Sequence, residues 1–144
     1  MRVVLDTNLW VSGLLWRGLP WRLLQLAEQG LVEPCVSAAM AAELAEVLAY
    51  PKLARRLRQL GVTAAELAQR AVSLASVWDV PDFDGDPIVK ADPDDDIFLR
   101  CAISVRADYV VSGDGHLLDL ECYAEIQVVT VRAFFVREFP RLIP

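Results

Sequence analysis

Apolar residues along the chain fall into two kinds of pattern. Short runs at Arg2-Val3-Val4-Leu5, Leu31 to Val36, Tyr109-Val110-Val111 and Ile126 to Val131 read as strands, and the first and third end on polar residues. Runs of this kind suit strands buried on both faces. Between them the spacing turns helical. Pro20 opens a helix that continues through Trp21 to Glu28 and is closed by Gly30. Ser37 is a good N-cap for Ala38 to Ala49, which stops short of Pro51, and Lys52 to Leu60 continues as a basic helix ending at Gly61. Thr63, followed three residues later by Glu66, forms a capping box and starts a helix running to about Ser76. Val77 to Val80 adds a strand, Pro81 to Asp96 is a Pro-, Gly- and Asp-rich loop, and Ile97 to Arg106 has helical spacing. A short helix over Leu117 to Leu120 precedes the last strand. Alternating strands and helices predict a three-layer α/β/α sandwich with a largely parallel central sheet.

Composition narrows the class. The chain has 144 residues and 55% apolar content, enough for one compact domain spanning 1–144. It contains no apolar run long enough for a membrane span, and its start reads as a strand ending in Asp6 and Asn8 rather than a leader. A soluble, cytoplasmic protein without membrane contact is expected. Cys35, Cys101 and Cys122 are odd in number and widely spaced, so they are expected to be buried thiols rather than a disulfide or zinc framework. The net charge of −6 argues against coating nucleic acid by bulk electrostatics. It leaves room for a nuclease whose acids face a metal while its arginines face phosphate.

The acids are not scattered at random. In open parallel sheets functional groups gather beyond the carboxyl ends of the strands, and Asp6 and Asp114 each follow a predicted strand. On the helix after Ser37, Met40, Leu44, Val47 and Leu48 make the apolar stripe; Glu43 lies beside it and Glu46 points toward water. Asp95 shares a face with Phe98, Ala102 and Val105, whereas Asp96 falls at the border of that stripe. Asp92 and Asp94 precede the helix, as capping or solvated residues. Clustered carboxylates repel one another unless cations neutralise them, and hard oxygen ligands suit Mg2+ or Mn2+. Such a site can activate a water and stabilise the leaving oxygen in attack on a phosphodiester.

Val4-Leu5-Asp6-Thr7-Asn8, Ser37 six residues before Glu43-Leu44, Asp92-Pro93-Asp94-Asp95-Asp96-Ile97-Phe98-Leu99 and Val110-Val111-Ser112-Gly113-Asp114 resemble, in order and spacing, the four acidic motifs of PIN domains. The resemblance spans nearly the whole chain and is nearest to the PIN-family toxins related to VapC toxins. It implies an endoribonuclease using Mg2+ or Mn2+, a homodimer, and a small antitoxin covering the site of a type II toxin-antitoxin pair. It assigns metal-binding and catalytic carboxylates to Asp6, Glu43, Asp95 and Asp114, with Asn8 and Ser112 as polar supports. The third position lies between Asp95 and Asp96, with facing and family pattern both on the side of Asp95.

Other readings compete at several places. Arg55, Arg56, Arg58 and Lys52 form either an RNA groove or a solvated helix face. Trp10, Trp16 and Trp21 are either core or a surface for self-association or antitoxin. His116, the single histidine, rules out a two-histidine zinc motif and reads as a surface or capping residue near Asp114. Two rival functions are an aspartate-based phosphotransfer domain and a non-catalytic PIN-like binding module. The first is weakened by Asn8, where a phosphatase of that kind needs Asp, and by the lack of a lysine after Lys90; retention of all four acids counts against the second.

Overall fold

In the computed structural model, which describes residues 1–81 and 85–143, six strands form one sheet among the described residues. They are β1 (Arg2–Leu5), β2 (Glu33–Ser37), β3 (Ser76–Trp78), β4 (Tyr109–Val111), β5 (Cys122–Tyr123) and β6 (Ile126–Val129). Their spatial order is β3-β2-β1-β4-β6-β5, and every pair is parallel except β5 with β6. Val3, Val4, Val110 and Val111 are fully buried at its centre, as expected of strands covered on both faces. The helices are α1 (Thr7–Leu15), α2 (Leu19–Glu28), α3 (Ala38–Leu48), α4 (Ala54–Leu60), α5 (Ala64–Leu74), α6 (Asp96–Val105), α7 (Gly115–Leu118) and α8 (Val131–Glu138). α6 packs on β1, β2 and β4, while α1 packs on α2, α3, α4 and α5. This is the α/β/α arrangement that the alternation predicts.

The local signals work as capping chemistry requires. Ser37 accepts the Met40 N–H at 3.2 Å, Thr63 accepts the Glu66 N–H at 3.1 Å, and Gly61 closes α4 in the left-handed region at φ 68°. Each side-chain cap contributes about 1 kcal/mol. Three elements depart from the sequence expectation. α1 starts directly after Asp6, in a stretch apolar nearly all round and therefore without helical periodicity; Leu9, Trp10, Val11 and Leu15 are all buried. Gly13 lets α2 approach, since a Cβ there would stand 2.8 Å from Leu24 Cδ1 and 2.9 Å from the Pro20 carbonyl. β5 pairs with β6 through Ala124 and Glu125, both at positive φ, a hairpin turn made without the usual Asn or Gly signal. α8 follows Thr130, which accepts the Ala133 N–H at 3.1 Å, and it buries Phe134 and Phe135, with Phe134 edge-on to Tyr109.

Burial divides the tryptophans between the two readings and corrects one cysteine. Trp10 lies in the core at 2% exposure and Trp21 is half-buried, so only Trp16, 46% exposed, is open to a partner, with the Arg56 guanidinium 5.7 Å from its ring. Cys35 and Cys101 are buried thiols, pushed up to about 12 and about 11 by burial, but Cys122 is exposed on β5. Of the predicted Pro81 to Asp96 loop, residues 82–84 lie outside the described residues. No helix among those described is long and apolar enough to cross a membrane.

Candidate metal centre

From β1 the sheet grows toward β2 and β3 on one side, and from β4 toward β6 and β5 on the other. The order therefore reverses between β1 and β4, where a parallel sheet opens a crevice at its carboxyl edge. Asp6 follows β1 directly, and Ser112, Gly113 and Asp114 follow β4. Asp6, 5% exposed, is the N-cap of α1: its Oδ1 accepts the Leu9 N–H at 2.8 Å. Its Oδ2 accepts the Ser112 hydroxyl at 2.5 Å and the Gly113 N–H at 3.2 Å. Ser112 Oγ in turn accepts the Asp114 N–H at 2.9 Å, tying the two strand ends together. Asp114 caps α7, its Oδ1 accepting the His116 and Leu117 N–H groups at 2.8 and 3.3 Å.

Glu43 comes from the middle of α3, where its position beside Val47 turns it to the same crevice. Thr7 donates its hydroxyl to Glu43 Oε2 at 2.6 Å. Asp95 ends a short 3-10 turn, Pro93–Asp95, just ahead of α6. Asp6, Thr7, Asn8, Glu43, Asp95 and Asp114 line one cleft of about 150 Å³, with Val47 and Phe98 as its apolar walls. The structure thus brings the four sequence-nominated acids to one place, with Ser112 beneath Asp6 and exposed Asn8 at the rim. A larger cleft of about 700 Å³ is lined by Ser37, Val80, Ile97, Asp96 and Arg100 and contains none of the four.

Asp96 belongs elsewhere. It is 7% exposed, not a solvated turn residue, and it accepts the Ile88 N–H at 2.8 Å and the Val89 N–H at 2.7 Å while pairing with Arg100 at 3.3 Å. Its carboxylate anchors the loop ahead of α6 to the helix. Asp95, 9% exposed, has no such donors, and its Oδ2 is buried without a hydrogen-bond partner. Burial, then the Asp114 and Asp92 carboxylates, a hydrogen bond shared with Asp114, and last Asp6, push the Asp95 carboxyl up to about 7 from its ordinary 3.8. A buried carboxylate oxygen facing acids rather than donors is the chemistry a hard cation satisfies.

The sequence reading passed over two neighbours of this centre. Thr7 orients Glu43. Asp92, taken only as a cap, does accept the Asp94 N–H at 3.2 Å, but it also stands with Asp95, Asp114 and His116 in a group whose ligand atoms all lie within 4.8 Å of one another. The one signal for it was the three-residue spacing from Asp95, a single turn. Among the basic residues of the α4 region, Arg56 donates Nε–H to the Leu15 carbonyl at 2.9 Å, holding the end of α1. Arg55, Arg58 and Lys52 are exposed.

A mixed α/β sheet with an acidic crevice at its switch point defines a nuclease-type architecture capable of holding divalent cations. The chain belongs to the PIN domain family, whose model matches residues 2–116. PIN domains are generally nucleases that use divalent metals. The crystal structure of PAE2754 from Pyrobaculum aerophilum is similar in fold, with a TM-score of 0.50 at 14% identity over 95% of this chain and 97% of that one. No curated protein matches the chain.

Proposed function

We propose that this protein is a metal-dependent endoribonuclease that hydrolyses RNA phosphodiester bonds with Mg2+ or Mn2+, and that it acts as the toxin of a type II toxin-antitoxin pair. The observation that carries the catalytic reading is the buried, unpartnered Asp95 Oδ2 set among the Asp114, Asp92 and Asp6 carboxylates. Asp6, Glu43, Asp95 and Asp114 would hold the cation. Bound there, it supplies charge neutralisation for the phosphoryl oxygens and a water made nucleophilic at neutral pH. The chain's own part is positioning. Thr7 keeps Glu43 turned inward, and Ser112 locks Asp6 against β4. A phosphotransfer role for Asp6 is disfavoured by Asn8, where a phosphatase of that kind needs Asp, and by the lack of a lysine after Lys90.

The toxin role, the homodimer and the antitoxin rest on the resemblance to PIN-family toxins, and Trp16 is the aromatic residue of the first segment that a partner can reach. Cleavage of single-stranded RNA should require Mg2+ or Mn2+ and stop in excess chelator; undiminished cleavage there overturns the reading. Expression of the chain alone should arrest growth, relieved by co-expressing a small protein from a neighbouring reading frame. Normal growth under strong expression removes the toxin part.

A further inference from the structure

The surface that leads away from the acidic cleft along α1 and α3 has the opposite charge. Residues 7–27 and 47–65 contain arginines and a lysine but no Asp or Glu, although the chain as a whole carries a net charge of −6. Val47 on the cleft wall is four residues from Glu43, and Tyr50 follows it, its N–H bonded to the Val47 carbonyl at 3.0 Å. Glu43, Val47 and Tyr50 therefore lie on one line along α3 and its end, with Tyr50 about 10 Å from Glu43 at about 1.5 Å per residue. α1 makes a second path: Asn8 stands at the cleft in its first turn, and Trp16 caps its far end. The two paths are joined. Lys52 and Arg56 are four residues apart in the continuous turn and helix of residues 51–60, so they share a face. Lys52 Nζ stands 6.0 Å from the Tyr50 ring, and the Arg56 guanidinium 5.7 Å from the Trp16 ring. Arg56 is fixed there by its bond to the Leu15 carbonyl at 2.9 Å. Arg55, three residues after Lys52, flanks the same face, whereas the spacing turns Arg58 well round from it.

We propose that Trp16 and Tyr50, with Lys52 and Arg55, form a subsite for single-stranded RNA outside the metal cleft, where bases stack on the two rings and the cations take the neighbouring phosphates. Trp16 is 46% exposed and Tyr50 40%, so both rings are presented to solvent rather than used in the core. Exposed rings interleaved with cations on an acid-free surface are what a groove for single strands is made of. Lysine is depleted from protein–protein interfaces, which favours a strand over a protein as the occupant. Arg56 is a positioning residue, tying the end of α1 to α4 beneath the Trp16 ring. The proposal rests on the RNA-hydrolase reading above and adds where a flank of the strand lies while the acids act on its phosphodiester.

Binding is read apart from cleavage, by fluorescence anisotropy of a labelled oligoadenylate of about twelve nucleotides in excess chelator at low salt. The acids can then only repel the strand, so the attraction measured is that of the basic surface. Trp16→Ala with Tyr50→Ala should weaken binding at least about tenfold, and Trp16→Phe with Tyr50→Phe should keep most of it. Lys52→Gln with Arg55→Gln should flatten the slope of log affinity against log salt by about 1.4, at about 0.7 per charge, while Arg58→Gln stays within about twofold of wild type. In Mg2+ the alanine pair should raise KM for the same oligonucleotide and leave kcat unchanged. Wild-type affinity in the alanine pair, or an equal loss in Arg58→Gln and Lys52→Gln, overturns the subsite. Normal RNA binding by the alanine pair with loss of self-association in sedimentation also overturns it and makes the rings a contact between copies of the chain. The expected binding pattern without metal-dependent cleavage overturns the hydrolase reading and leaves the subsite standing.

Discussion

Asp95 and Asp96 are neighbours in sequence and nearly equal in burial, yet they anchor regions of opposite character. On the Asp96 side, two backbone N–H groups and the Arg100 guanidinium converge on one carboxylate, so a buried negative charge holds the loop ahead of α6 in place. On the Asp95 side the neighbours are Asp114, Asp92 and Asp6, and one oxygen has no donor. Burial alone does not tell whether an acid is structural or functional; the sign of what surrounds it does. Matched surroundings stabilise the fold, whereas mismatched ones are tolerated because an external cation can supply the missing charge.

The contrast is broken most severely by exchanging each charge for its neutral isostere. Asp95→Asn should lower RNA cleavage at least about a hundredfold, as loss of a metal ligand does, while the protein remains folded in chelator. An active Asp95→Asn protein would remove Asp95 from the centre. Asp96→Asn should show the reverse pattern. It weakens a buried ion pair and turns an amide N–H toward backbone N–H groups, for a loss of about 2–3 kcal/mol in denaturant unfolding. The folded fraction of that variant should keep most of its cleavage activity. Equal stability losses at the two positions would show that both acids are structural.

A smaller effect sharpens the comparison through pH. The unfolded chain releases the Asp95 proton near its ordinary 3.8, but the folded protein holds it until about 7. Between those values the folded state binds more protons, so in chelator stability should fall as pH rises from 4 and level off above about 7. The loss is on the order of 2 kcal/mol, read as a lowered melting temperature at pH 8 against pH 5. Asp95→Asn should flatten this slope and melt above wild type at pH 8, and saturating Mg2+ should flatten it in the wild type. A wild-type melting temperature that rises between pH 5 and 8 in chelator contradicts the raised Asp95 carboxyl.

Much of this was legible before any coordinates. The runs at Arg2 to Leu5 and Tyr109 to Val111, the caps at Ser37 and Thr63, and the helical facing of Glu43 are short-range signals, and each is found where local chemistry puts it, whereas Asp95 sits in a 3-10 turn ahead of the helix it was read onto. α1 was not legible, because a helix apolar nearly all round has no periodicity to read. The β5–β6 hairpin was missed because Ala124 and Glu125 take positive φ without glycine.

Local sequence thus determined which segments could be strands or helices and which acids sat at their ends, since capping, facing and strand burial act over a few residues. Only the tertiary structure decided what each acid meets. Donors from Ile88, Val89 and Arg100 converge on Asp96, and acids from two other segments, Asp6 and Asp114, join Asp92 of its own turn around Asp95. Two adjacent carboxylates can point to different sides of one helix start, and the charge waiting there comes from residues up to about ninety positions away in the chain, whose arrival depends on the register of the whole sheet.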